Sequence, residues 1–334
     1  MRIENVVTVT GGRLLNDPSI SRFESVALRP SKATRGALYI AQDTSGIEDA
    51  LSNGAYGIIT DTDVEVTDKE AAWIVVDSLD SALVKLLRLW LVSNPRSFYY
   101  IDPIVMEFLR MVAADHNALL LPEGRLKACE AVLESKKEQS IFCDDALFLE
   151  HIGASVNPAP KRECDLGVIA DNLLESSFIL DGVYCERVEL AGAMLPFFKE
   201  AIEILKGAKL DYTLSRLTYT RSFMPVFVDT YLDPLPFGAS EQVLVFCESS
   251  LPAESFEYLN RIRWTGAKLL LPTQIKFQCD IKMETITYKG EEELLDRLKL
   301  PLKPGYYIFV GLTSSGFFKL VEKSTKKTIT KGLF

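Results

Sequence analysis

From residue 36 onward, short apolar runs alternate with stretches whose apolar residues recur at helical spacing. That alternation confines the chain to α/β layers. Leu38–Ala41 reads as a strand, entered through a turn at Gly36. Ser45–Asn53 reads as a short helix capped by Ser45 and stopped at Gly54, before a second strand at Ala55–Thr60. After an acidic loop, Asp61–Glu70, comes a third strand, Trp73–Val76. A helix capped by Asp77 or Ser78 follows it, with Leu79, Leu83, Leu86, Leu87 and Trp90 on one face. Upstream, the β-branched run Val6–Thr10 is expected to be a further strand.

The same grammar continues beyond Ser93–Arg96, the first expected boundary. Strands are expected at Phe98–Ile101, Leu119–Leu121, Gln139–Cys143 and Leu166–Ala170. Helices are expected at Val105–Ala114, Gly124–Ser135 and Asp145–His151, and a loop over Val156–Glu163. Asp181-Gly182 joins Ser177–Leu180 to Cys185–Leu190 as a hairpin, followed by a helix over Leu195–Lys206. A third region starts near Tyr212, with strands at Val226–Thr230, Gln242–Cys247, Lys268–Leu271 and Tyr307–Val310. Helices at Pro252–Thr265 and Glu291–Leu298 lie between them, and the basic Lys319–Lys331 is a helix end running into a solvated strand or tail. The division expected is 1–94, 95–210 and 211–334, three consecutive α/β regions.

Composition narrows the function classes. A net charge of −9 over 334 residues disfavours a nucleic-acid surface, which carries a basic face. No apolar run reaches the length of a membrane span, and the start, MRIENVVTVTGG, lacks the pattern of a secretory signal; the reading is a cytoplasmic protein. The six cysteines contain no C-x-x-C pair and read as buried thiols. With only His116 and His151 present, a three-histidine metal centre is excluded. Both histidines read as helix-end residues, Asp144-Asp145 as a helix cap, and Trp73, Trp90 and Trp264 as core.

In order and spacing, Gly36–Ala41, Ile47–Ala55, Gly57–Thr60 and Val76-Asp77 through Ala82-Leu83 to Leu86 resemble the N-terminal domain of the Mur ligases, closest to its MurF-like members. Those members add D-alanyl-D-alanine to a UDP-muramoyl-tripeptide. Glu291–Leu298, Leu302-Lys303-Pro304-Gly305, Tyr307–Val310 and Phe317–Glu322 resemble the closing elements of the family's Rossmann-like C-terminal domain. Val228–Pro234 is similar to the family's entry into that domain, and the hairpin with Gly192 to part of the central one. The resemblance implies a shortened Mur ligase: a MurF-like N-terminal domain, a reduced central domain and a Rossmann-like C-terminal domain.

The family activates a carboxylate with ATP, using a G-x-x-G-K-[ST] loop after the first strand of its central domain. Here Phe98–Ile101 runs through Asp102-Pro103-Ile104-Val105 into a helix, and no Gly-Lys dipeptide occurs in the chain. The family's G-x-H-N element corresponds to Gly192-Ala193-Met194-Leu195, and its K-G-S lysine falls at Gly311. The resemblance therefore implies recognition without ATP-driven ligation and without a cofactor. Its partner would be a UDP-muramoyl-type ligand or a protein of the cell-wall pathway. Arg29, Ser31 and Lys32 are candidates for holding a diphosphate, Thr44 and Ser45 for a sugar or uracil, and Tyr231 for a ligand contact. Asp229 and Asp233, at a strand end, are the candidate acid and base of an alternative non-ATP transferase or hydrolase. A third reading is a structural interaction module with no ligand site.

Overall fold

A computed structural model describes residues 1–261, 267–275 and 282–331. Trp264, Cys279 and the expected helix end at Thr265 lie outside them. The fold is α/β, and the chain divides into two compact units: residues 1–106 with 114–159, and residues 107–113 with 160–334.

The first unit contains α1 (Ile3–Thr10), β1 (Arg13–Leu14), β2 (Ser25–Ala27), a 3-10 turn (Pro30–Lys32), β3 (Ala37–Ile40), α2 (Ile47–Ser52), β4 (Ala55–Thr60), β5 (Ala72–Val75) and α3 (Leu79–Ser93). Its first sheet runs β1-β5-β4-β3-β2, parallel except for β1. The chain then forms β6 (Ser97–Tyr100), α4 (Pro103–Val112), which passes into the second unit, β7 (Ala118–Leu120), α5 (Arg125–Glu134), β8 (Ser140–Cys143), α6 (Ala146–His151) and β9 (Val156–Asn157). These strands make an all-parallel sheet in the order β7-β8-β6-β9.

Both sheets share one hydrophobic core, in which Leu38 and Ile59 of the first join Phe98 and Ile141 of the second through Leu83, Leu86 and Leu87 of α3. Full burial of each such leucine contributes roughly 1.5–3 kcal/mol. The boundary expected at Ser93–Arg96 falls inside this unit. There Arg96 lies over the Trp90 ring at 4.7 Å and donates from Nε to Ser135 Oγ and from Nη2 to Ser135 O, each at 2.9 Å.

Three local expectations change. Val6–Thr10 is helical, because Ile3, Val6 and Thr10 fall on one buried helical face and a left-handed Gly11 ends the helix. Thr8 and Thr10 satisfy their hydroxyls on the carbonyls of Glu4 and Val6, both at 2.7 Å, so burial outweighs strand propensity. Ser45 does not cap α2. Asp43 Oδ1 accepts both the Ser45 N–H (2.9 Å) and hydroxyl (2.6 Å), and the cap position passes to Gly46. Val156–Asn157, expected as loop, adds a short edge strand to β6.

In the second unit, β10 (Leu166–Asp171), β11 (Ser176–Leu180) and β12 (Val183–Val188) form an antiparallel meander packed through Phe178 on Phe198 of α7 (Leu195–Ala208), ring centroids 5.4 Å apart. The β11–β12 turn has the positive φ pair that Asp-Gly predicts, 50° at Asp181 and 83° at Gly182. The remaining elements are β13 (Phe223–Val228), β14 (Pro234–Leu235), β15 (Gln242–Cys247), α8 (Ala253–Arg261), β16 (Lys268–Pro272), β17 (Glu284–Tyr288), α9 (Glu291–Leu298), β18 (Gly305–Val310) and α10 (Ser314–Lys331). They build a sheet in the order β14-β13-β15-β18-β16-β17, parallel from β15 onward, around Phe246, Phe309 and Phe317. The strand expected at Val226–Thr230 starts earlier, because Pro225 and Phe223 are buried in the ladder with β15. It ends at Val228, where Asp229 turns the chain. The expected solvated tail is helical through Lys331, anchored by the buried Phe317.

Candidate functional site

In an open parallel sheet, ligands collect outside the carboxyl ends of the strands where the connection order reverses. In the second sheet that place is the end of β6, since the chain leaves it toward β7 and later returns to its other side at β9. Only Ile101 and Asp102 separate β6 from α4. Asp102 Oδ1 accepts the Ile104 N–H at 2.8 Å, its carbonyl accepts the Met106 N–H at 2.9 Å, and Pro103 has no N–H to offer. A helix N-terminus holds phosphate through free N–H groups and its partial positive charge. Here a carboxylate already occupies that position. Asp-Pro ahead of an apolar run is a readable cap signal, and it is the element that shapes this corner.

The residues expected to hold a nucleotide sugar are neighbours in the chain's first unit but point to different partners. Arg29 donates from Nε to Glu130 and from Nη2 to Glu134 Oε1 at 3.0 Å; Lys32 lies 3.9 Å from the same Glu134 oxygen. Ser31 instead lines a recess with Asp49, Ser52 and Asn53, where Asn53 Nδ2 donates to Pro30 O at 3.1 Å. Ser45 is held by Asp43, and Thr44 O accepts the Ile47 N–H at 3.4 Å. Both cations that would meet a diphosphate are thus ion-paired with α5. Glu130 and Glu134 are spaced four apart on one helix face, but nothing local in the sequence signals a partner some hundred residues away.

The carboxylates after β13 shape a loop. Asp229 Oδ1 accepts the N–H groups of Tyr231 (2.7 Å) and Asp233 (2.9 Å), while Leu232 takes a positive φ of 76° and Leu302 N–H closes on Thr230 O at 2.7 Å. Asp233 and Tyr231 are exposed. Gly192, expected from the resemblance to stand at the G-x-H-N element, opens a 3-10 turn against Tyr258 of α8: a Cβ there would clash with the Tyr258 hydroxyl and stand 2.5 Å from Cζ. That hydroxyl is buried beside Asp171, outside hydrogen-bonding geometry. Burial, ahead of the neighbouring carboxylate, pushes the phenol above its ordinary range.

Among the described residues no group of three metal-ligating side chains converges. His116 is exposed next to Asp115 at 3.6 Å, and Asp145 caps α6 by accepting the Phe148 N–H at 2.9 Å. Burial pushes the Cys129 thiol up to about 12 and raises the Cys247 thiol as well, which keeps both protonated. No described helix is long and apolar enough to cross a membrane.

No protein-family model matches the sequence. No curated protein matches it either. Among solved structures, the chain is similar to a MurF ligase from Thermotoga maritima in complex with ADP, at 13% identity and a TM-score of 0.45 over 92% of this chain and 98% of that one. It is also similar to MurF from Acinetobacter baumannii, at 9% identity and a TM-score of 0.47 over 92% and 94%. A UDP-N-acetylmuramoyl-L-alanyl-D-glutamate--2,6-diaminopimelate ligase gives 9% identity and a TM-score of 0.31. At such identities and scores, function has to be argued from the chain's own residues.

Proposed function

We propose that this chain is a Mur-ligase-like protein of peptidoglycan synthesis that works by binding, without ATP-driven ligation. On this reading residues 1–94, 95–210 and 211–334 correspond to the recognition, reduced central and closing regions of a ligase, in a cytoplasmic protein. The observation that carries it is the β6–α4 connection. Two residues, Ile101 and Asp102, join the strand to the helix, and the Asp102 carboxylate takes the first available N–H of the helix. A triphosphate brought there would meet a like charge where a phosphate site offers free N–H groups.

Of the two binding partners the resemblance implies, the ion pairs of Arg29 and Lys32 with Glu130 and Glu134 favour a protein over a muramoyl nucleotide. A diphosphate would have to displace those carboxylates before gaining either cation. The acid–base alternative loses support, since Asp229 already serves two backbone N–H groups.

Calorimetric titration of the full chain with magnesium ATP, and separately with a UDP-muramoyl-tripeptide, tests the reading. No magnesium-dependent ATP heat and no ATP-dependent amide formation are expected. Tight ATP binding coupled to amide formation would sink it, and tight muramoyl-nucleotide binding alone would shift the partner from protein to nucleotide.

A further inference from the structure

The first sheet ends at β2, and among the described residues no further strand pairs with that edge, which α5 borders across a groove. Ala41 N–H donates to Ile59 O at 2.9 Å, so Tyr39 and Ala41 direct their backbone groups to β4; by alternation Leu38 and Ile40 direct theirs to β2. Leu38 stands opposite Val26 in register, and in a parallel ladder it therefore bonds to Ser25 and Ala27. Val26 is left with its N–H and C=O turned outward.

They face a cavity of about 340 Å³ lined by Ser25–Leu28, Lys32, Thr34 and the α5 residues Glu130, Leu133 and Glu134. Arg29 and Lys32 engage only the Oε1 atoms of the two glutamates. Each carboxylate keeps its second oxygen without a partner among the described residues.

We propose that this groove binds an extended peptide segment carrying a basic side chain, as an added strand on β2. The Val26 N–H and C=O would pair with one residue of the ligand, Leu133 would give an apolar wall, and the free carboxylate oxygens would receive the ligand's guanidinium or ammonium. The acceptors select the class: Arg29 and Lys32 balance the charge of the two glutamates, and the carboxylate oxygens left over call for a hydrogen-bond donor, which an ionised phosphate or an acidic side chain lacks. The inference needs nothing from the argument about ATP, and it can fail or stand separately.

The probe is a fluorescent, end-blocked synthetic peptide, Thr-Val-Arg-Val-Thr, titrated into the full chain and read by anisotropy. Saturable binding is expected, weakened about tenfold or more when glutamate replaces the peptide's arginine. N-methylation at alternate residues supplies the strand test. One set of positions removes the hydrogen bonds to Val26 and weakens binding about tenfold, and the other set leaves it unchanged. On the protein, Glu130→Gln with Glu134→Gln should weaken the arginine peptide and spare a norleucine one.

Val26→Pro removes only the outward N–H and should abolish the methylation difference; if it fails to fold, the methylated peptides still decide. No saturable binding at millimolar peptide overturns the proposal. So do equal affinities for the two methylated sets, unchanged affinity in the Gln variants, or a self-associated chain whose sedimentation the peptide does not alter.

Discussion

Gly192→Ala is the sharpest test of how the second unit is packed. The added methyl would clash with the Tyr258 hydroxyl and lie 2.5 Å from its Cζ and 3.0 Å from Asp171 Cβ, all well inside contact distance. Tyr258 stands on α8, half-buried with its hydroxyl buried, so the clash is relieved only by a shift of that ring or of the Gly192 turn. Overpacking of this kind costs about 1–3 kcal/mol. For a unit of this size it corresponds to a melting point lower by roughly 2–12 °C. Differential scanning fluorimetry on Gly192→Ala, Tyr258→Val and the double variant gives the full cycle. The alanine should be nearly silent once Tyr258 is valine, which appears as a coupling of about 1–3 kcal/mol. A Gly192→Ala protein that melts with wild type, or a double variant in which the two losses add, would refute the contact.

Asp102→Ala removes the cap of α4 and should cost about 1 kcal/mol in urea unfolding, with Asp102→Asn costing less, since asparagine also caps. Burial, partly offset by hydrogen bonds from Ser222 N–H and Oγ at 3.1 Å, holds the Glu107 carboxyl above the usual carboxylate range. The folded state then binds the proton more tightly than the unfolded one. Stability should fall as pH rises from the ordinary carboxylate range through the raised folded value, and Glu107→Gln should flatten that slope in a pH series of urea midpoints.

Asp181 is shifted the other way by its bonds to Lys206 (2.7 Å) and Tyr212 (2.8 Å), so its contribution is present above the ordinary carboxylate range and lost as pH falls through the lowered value. Asp181→Ala loses those bonds and puts a Cβ-only residue at φ 50°, at a cost of about 2–4 kcal/mol, whereas Asp181→Asn keeps the left-handed turn. Thermal melts of the two variants side by side should separate the backbone effect from the ionic one.

The elements most legible in the sequence are those whose signals are local. Asp181-Gly182 gives both positive φ angles of its turn, Gln242–Cys247 and Glu291–Leu298 coincide with observed elements, and Ser78 caps α3 by accepting the Ser81 N–H at 3.4 Å. What could not be read depends on distant partners. Val6–Thr10 has strand composition and becomes a helix because a core assembled from residues up to Ile152 accepts its helical face. Glu284–Tyr288, which joins the sheet through β16, is a different case: its alternating Thr285, Ile286, Thr287 and Tyr288 carry a local strand signal that went unread. Among the candidate site residues, Asp229 is legible as a turn residue. The pairing of Arg29 with α5 is not, because it joins segments about a hundred positions apart.

That pairing bears on why recognition is the harder half of the functional problem. The framework positions resembling a ligase, Leu38, Ile59, Leu83 and Leu86, lie in the shared core of the first unit, where burial alone would preserve them whatever the chain binds. Arg29 and Lys32 have no such constraint, and in this fold they join the Pro30–Lys32 turn to α5. Replacing Glu130 and Glu134 together with glutamine separates the alternatives. If the cations serve only to tie the turn to α5, the double variant loses little stability, since solvent screens exposed ion pairs, and gains no ligand. If a diphosphate site lies latent beneath the pairs, freeing Arg29 and Lys32 should raise affinity for a UDP-sugar in calorimetry, with a salt dependence that the wild-type chain lacks. The first outcome is expected, and a UDP-sugar heat appearing only in the double variant would contradict it.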